Sequence, residues 1–231
     1  MMKHLFFAVL AFCSVSAYSQ KWSYGVEAGF VHNSFRVPEN KRPGITTSGK
    51  DGFKIGALVN YSLPLGFVLE GGLGYIRKGG ELKGNNLIGV VENDIAPKGL
   101  KTEDMDYLNI PLSVGYKLRL NNSEFFLMPQ IGWFFNYGLR GDGLFYAHNS
   151  AKDALTSGDY MTRVELFPST KELKPAFHNF NRFDTGAVLG VSLLYKGARL
   201  KCTYELGTYT IHGSYGNVKN RTLVLSAAYL F

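Results

Sequence analysis

Residues 22–30 read Trp-Ser-Tyr-Gly-Val-Glu-Ala-Gly-Phe. In an extended chain successive side chains point to opposite faces, so this stretch has two unlike sides. Trp22, Tyr24, Val26, Ala28 and Phe30 share one; Ser23, Gly25, Glu27 and Gly29 share the other. The period is that of a strand, not of a helix. The same alternation recurs near 53–61, 67–75, 108–117, 125–137, 183–195, 200–207 and 222–231. Eight such segments, each near the ~9–11 residues of a tilted membrane-crossing strand, predict an all-β, eight-stranded antiparallel up-and-down transmembrane β-barrel.

Two closed barrels suit eight strands: a soluble cup with an apolar interior, and a membrane barrel with an apolar exterior. The faces decide between them. Gly25, Gly29, Gly56, Gly72, Gly74, Gly115, Gly132, Gly186, Gly190 and Gly207 lie on the polar side. On a solvated strand surface glycine weakens the strand and contributes no packing. In a narrow lumen it makes room beside longer charged side chains. The Trp, Tyr, Phe and Leu of the opposite side would overfill that lumen. Placed outward, Trp22, Tyr61, Phe67, Tyr116, Phe125, Tyr195, Tyr229 and Phe231 fall at one rim, and Phe53, Tyr75, Tyr137 and Phe183 at the other, as interfacial girdles require. Pro111 and Pro129 fall inside strands, where a missing donor predicts a bulge or a locally broken ladder.

The connections are lopsided. Tight turns are expected at 64–66, 120–123 and 196–198, and long polar connections at 36–50, 79–104 and 138–181, with a shorter one at 212–219. Every long connection then falls at the end opposite both termini, as in outer-membrane barrels with short periplasmic turns and long extracellular loops. The expected layout is a signal peptide over residues 1–19 and a barrel over 20–231, with both termini in the periplasm. Lys3 and His4, an apolar run from Leu5 to Phe12, and small residues at Ala17 and Ser19 make up the leader; cleavage after Ala17 is the near alternative. The bulky Phe12 before Cys13 makes a poor lipoprotein signal, and the mature chain keeps one cysteine, Cys202, so it can form no internal disulfide.

The composition agrees. Among 231 residues 45% are apolar, 14% aromatic and only 19% charged, which excludes disorder. The formal charge of +7 becomes +6 once Lys3 is removed with the leader. That suits anionic lipopolysaccharide, and with no basic stripe or nucleic-acid motif no nucleic-acid partner is expected.

Several residues are candidates for chemistry. Glu27, Glu70, Asp184 and Glu205, with Lys54, Lys117, Lys201 and Arg221, are expected to form an ion-pair network filling the lumen, since isolated buried charges are costly; a small-ion path is the alternative. Arg36, Arg77, Lys78 and Arg182 are expected at the outer rim, contacting lipopolysaccharide phosphates. His32 with Ser34, and His212 with Ser214, could serve a lipid hydrolase if a third group oriented the base. No catalytic assignment follows, because sequence shows none of those contacts. Neither a phosphate loop nor a zinc template is present, so no metal and no cofactor is expected. Residues 138–181 exceed an ordinary connection and carry five basic and five acidic residues among aromatics, as a folded loop or a protein-contact surface would; a mobile, surface-shielding loop is the alternative.

Tyr107-Leu108-Asn109-Ile110-Pro111-Leu112, Phe183-Asp184-Thr185-Gly186 with Gly190, Lys219-Asn220-Arg221-Thr222 and the terminal Tyr229-Leu230-Phe231 resemble the PorT-like outer-membrane β-barrel family of Bacteroidota, over essentially the whole mature chain. Asn109 stands where that family usually has Glu. The resemblance implies an integral outer-membrane protein, with Tyr229 and Phe231 as part of the signal read by the barrel-assembly machinery. It also implies a link to type IX secretion, through the family's name-giving member. The functional expectation is a non-enzymatic membrane scaffold whose loops or rim contact partners, with secretion-system proteins among them. A lipid-modifying hydrolase and a narrow channel are the alternatives.

Overall fold

A computed structural model describes residues 21–38, 45–84, 95–121, 124–149, 158–167, 180–212 and 217–231. The expected leader, Ser214 and parts of the long connections lie outside these residues. Ten strands follow in order: β1 Trp22–Arg36, β2 Ile45–Ser62, β3 Phe67–Gly84, β4 Ile95–Tyr116, β5 Leu118–Arg119, β6 Phe125–Asn149, β7 Gly158–Glu165, β8 Phe183–Tyr195, β9 Ala198–Gly207 and β10 Lys219–Leu230. All pairings are antiparallel. The order β4-β3-β2-β1-β10-β9-β8-β6 closes on itself through a β4–β6 ladder, giving a ring of eight. Closure leaves no open sheet edge within the barrel wall, as the hydrocarbon core demands.

The alternation resolves as expected. Val26, Phe30, Ile55, Leu73, Leu112, Ile131, Leu200 and Leu225 are exposed on the outside of the ring, while Glu27, Lys54, Glu70, Lys201 and Glu205 are buried within it. Aromatics pair at the rims: Trp22 with Tyr61 at 4.6 Å, Phe67 with Tyr116 at 5.0 Å and Phe125 with Tyr195 at 4.5 Å at the short-turn end, and Phe53 with Tyr75 at 5.5 Å at the other. Trp133 faces outward, yet its indole N–H donates to Thr185 at 2.7 Å, so that donor is not left bare toward lipid.

Small residues are required on the inner face for a reason beyond lumen volume. Gly56 and Gly74 are register partners on β2 and β3. A Cβ on Gly56 would lie 2.8 Å from the Gly74 Cα and equally near the Leu73 carbonyl oxygen. The tightly coiled sheet brings the neighbouring backbone into the space a side chain would need.

At the short-turn end, Lys196 and Gly197 both have positive φ, the two-residue hairpin geometry that matches strand twist. Trp22 and Phe231 lie at this end, where Tyr24 and Phe231 exchange backbone hydrogen bonds. The prolines break the ladder without shifting register. β3 and β4 pair at Gly71–Leu112 and again at Gly74–Asn109, and lapse between them beside Pro111. The β4–β6 ladder stops at Gly115–Gln130, next to Pro129, and resumes through β5 at Leu118–Leu127.

The long connections are shorter than the sequence predicts. β3 continues to Gly84, β4 starts at Ile95 and β6 runs to Asn149, where β7 folds back on it. Residues 45–49 of β2 pair with this extension, so a sheet of β2, β3, β4, β6 and β7 rises beyond the rim on one side. Polar residues on the outer face hide these extensions from a period-two reading. The inner side is apolar: Leu82, Leu100, Met105, Phe145, Leu166, Phe167, Phe180, Ile211 and Val218 form one buried cluster.

Candidate functional site

The lumen has three tiers. Nearest the short turns, Val68, Met128 and Leu194 pack together with Phe126. At the other end the large apolar cluster caps the barrel. Between them lies a polar tier built from inward positions of all eight ring strands.

The lower half of that tier holds Glu27, Lys54, Glu70, Arg199 and Lys201. Lys54 Nζ is 3.1 Å from Glu27, and Lys201 Nζ is 2.7 Å from Glu70 and 3.7 Å from Glu27. The Arg199 guanidinium also pairs with Glu70, and donates to Ser192 at 2.9 Å and Gln130 at 2.7 Å. In the upper half Lys78 Nζ is 2.8 Å from Glu205 and 3.6 Å from Asp184, and lies 4.8 Å over the Phe134 ring. A chain of amides joins the walls: Asn109 donates to Asn136 at 2.7 Å, Asn136 and Asn220 donate to Asp184 at 3.2 and 3.0 Å, and Asn33 donates to Asn220 at 3.1 Å. Four buried acids, Glu27, Glu70, Asp184 and Glu205, thus meet four buried bases, Lys54, Lys78, Arg199 and Lys201. Such burial is tolerable only because each charge is paired with an opposite one.

Three assignments need correction. Lys78, expected at the rim, is buried inside. β3 continues past Tyr75, and Lys78 keeps the parity of Glu70. Arg221, expected in the lumen, is on the outer face with Leu223, because it shares that residue's parity; its register partners are Ser34 and Leu206. Lys117 has inward parity but sits at the short-turn mouth with Arg199 as its charged neighbour, so it joins no ion pair among the described residues. Arg199 was missed although its parity with Lys201 marks it as inward. Asn109 carries its strand into the amide chain in place of an ion pair.

At the outer rim the remaining cations differ sharply. Arg77 donates to Asp106 through two nitrogens at 2.7 and 3.2 Å and lies 3.6 Å from Asp104. The hydrogen-bonded Asp106 carboxylate raises its pKa further above the usual range. Arg182 spends its guanidinium on the carbonyls of Gly138, Leu139 and Phe167. Arg36 is exposed and lies across from Lys219.

The histidines go separate ways. His32 Nδ1 is 2.7 Å from Asp51 on the outer face, and no serine hydroxyl bonds to it among the described residues. His212 is buried with its ring 4.7 Å from that of Phe180. Tyr229 and Phe231 are exposed at the short-turn end. Among the described residues, no group of three or more His, Cys, Asp or Glu could hold a metal.

Residues 18–210 match the family model described as outer membrane protein beta-barrel domain. The chain belongs to that family. It is an outer-membrane β-barrel. No curated protein sequence matches it. Solved structures with similar shape include OprG from Pseudomonas aeruginosa, at 12% identity over 91% of this chain and 96% of that one, with a TM-score of 0.43. Ail, the attachment invasion locus protein of Yersinia pestis, is similar at 14% identity over 92% of this chain and 100% of that one, with a TM-score of 0.38. Neisserial surface protein A is similar at 16% identity over 90% and 95%, with a TM-score of 0.37.

Proposed function

We propose that this outer-membrane barrel is a non-conducting, non-enzymatic scaffold that presents its tall sheet outside the cell, with both chain ends in the periplasm. The observation that carries this reading is the lumen. Paired charges fill its middle, and an apolar cluster seals each end. A permeating ion would have to break several buried pairs at once, which is prohibitive in a low-dielectric interior. The His32–Asp51 pair gives a hydrolase no support, since it has a base and its orienter but, among the described residues, no hydroxyl bonded to the base.

What remains exposed and distinctive is the sheet of β2, β3, β4, β6 and β7, rigid strand structure where loops are the rule. A partner-binding role in protein secretion follows from the PorT-like resemblance and fits a rigid platform of this kind. Planar-bilayer recording of the purified barrel tests the closed lumen: a silent bilayer is expected, and stable unitary steps overturn it. Crosslinking on whole cells through Met161→Cys, whose native side chain is exposed on β7, is expected to capture secretion-system proteins. Unchanged export after gene disruption removes the secretion part.

A further inference from the structure

We infer that the outer end of the β1–β10 seam is a binding site for the phosphate groups of a lipid A-type glycolipid. This inference rests on the orientation proposed above, with the tall sheet outside the cell.

The cations of this rim divide into two sets. Arg77 faces Asp106 and Asp104, Lys50 lies 3.5 Å from Asp104, and Arg140 lies 2.7 Å from Asp142. Arg36, Lys219 and Arg221 pair with no acid among the described residues. Parity places all three on the outer face, and Arg36 is the direct register partner of Lys219. Like charges directly opposite each other are destabilising, so this arrangement calls for an anion. Arg36 and Arg221 line one cleft of about 640 Å³, together with Phe35, Pro38, Ile45 and Thr47. Arg221 borders this cleft, and its Nε is buried with no hydrogen-bond partner among the described residues. A buried donor left unmade is expensive, and a phosphate oxygen supplies the acceptor.

Position selects a lipid headgroup over a free anion. Arg221 follows the lipid-facing series Leu223, Leu225 and Ala227 by one outward step, and Arg36 stands three such steps above Phe30. The cations therefore sit immediately beyond the apolar band, at the height of headgroup phosphates, and the cleft's largely polar lining suits phosphate oxygens and sugar hydroxyls.

The test uses the full barrel in detergent micelles and native mass spectrometry, with lipid A bearing two phosphates, the same lipid dephosphorylated, and inorganic pyrophosphate as the free anion. Retention of the phosphorylated lipid is expected to exceed that of the dephosphorylated lipid about tenfold. The triple variant Arg36→Gln, Lys219→Gln, Arg221→Gln is expected to lose that preference, and Arg140→Gln to keep it. Heat-modifiable gel mobility reports folding of each variant, and Arg221→Lys, which keeps the charge but removes the Nε donor, is expected to weaken retention if the triple variant does not fold. Equal retention of the two lipids, a preference that survives in the triple variant, or retention of pyrophosphate alone overturns the inference. Labelling of Met161→Cys by a membrane-impermeant maleimide on whole cells checks the orientation separately. No labelling there, with the phosphate preference intact in micelles, removes the orientation and leaves the anion site standing.

Discussion

Lys78 and Glu205 meet at 2.8 Å inside the barrel although 127 residues separate them in the chain. Only closure of the ring brings β3 and β9 face to face across the lumen. Asp184 completes the group from β8, and the Phe134 ring closes it from β6.

Removing Lys78 should therefore be costly. Lys78→Met leaves Glu205 and Asp184 sharing a buried site without their counter-charge, and should lower stability by about 3–5 kcal/mol. Adding Glu205→Gln to that variant should recover part of the loss, because one uncompensated charge disappears. Urea titration of refolding into lipid vesicles, run as a double-mutant cycle, checks both outcomes.

Ile131 lies midway between the rim residues Phe125 and Tyr137 of β6, and faces outward with 62% exposure. Ile131→Arg should cost about 2–4 kcal/mol in a bilayer, the depth-dependent penalty for a cation at the midplane. The same titration reads it, and a neutral result would place this face in water.

Inner and outer glycines should respond differently. Gly56→Val drives a side chain into the β3 backbone and should cost about 3 kcal/mol or prevent folding. Gly71, whose added Cβ would meet only the Leu112 and Val59 side chains at 3.5 and 3.6 Å, should accept alanine within about 0.5 kcal/mol. Heat-modifiable mobility on gels separates the two.

Arg182 clamps the segment after β7 by donating to the Phe167 carbonyl while holding Gly138 and Leu139 on β6. Arg182→Ala should loosen that segment without unfolding the barrel. Limited proteolysis near Leu166 and Phe167 should speed up about tenfold, the effect of losing one charge-assisted hydrogen bond.

How far the fold was legible follows from these residues. The orientation of Trp22 to Phe30 was readable because strand parity is local: each side chain's face is set by its neighbours in sequence. The same rule assigns Lys78 and Arg199 inward and Arg221 outward once the strands are drawn to their full length. The extensions beyond the rim were not readable, because residues 79–84 and 95–104 carry no apolar outer face there. Above the membrane their outer face meets water and is polar, while Leu82 and Leu100 are buried on the inner side.

The chain alone determined eight membrane-crossing segments, their greasy and polar faces, and the tight turn at Lys196–Gly197, since each depends on neighbours a few positions apart. Tertiary structure decided which acid meets which base, how high the sheet rises on one side, and which rim cations meet no acid among the described residues. Those depend on the stagger at which eight strands close, and that stagger sets distances between residues more than a hundred positions apart.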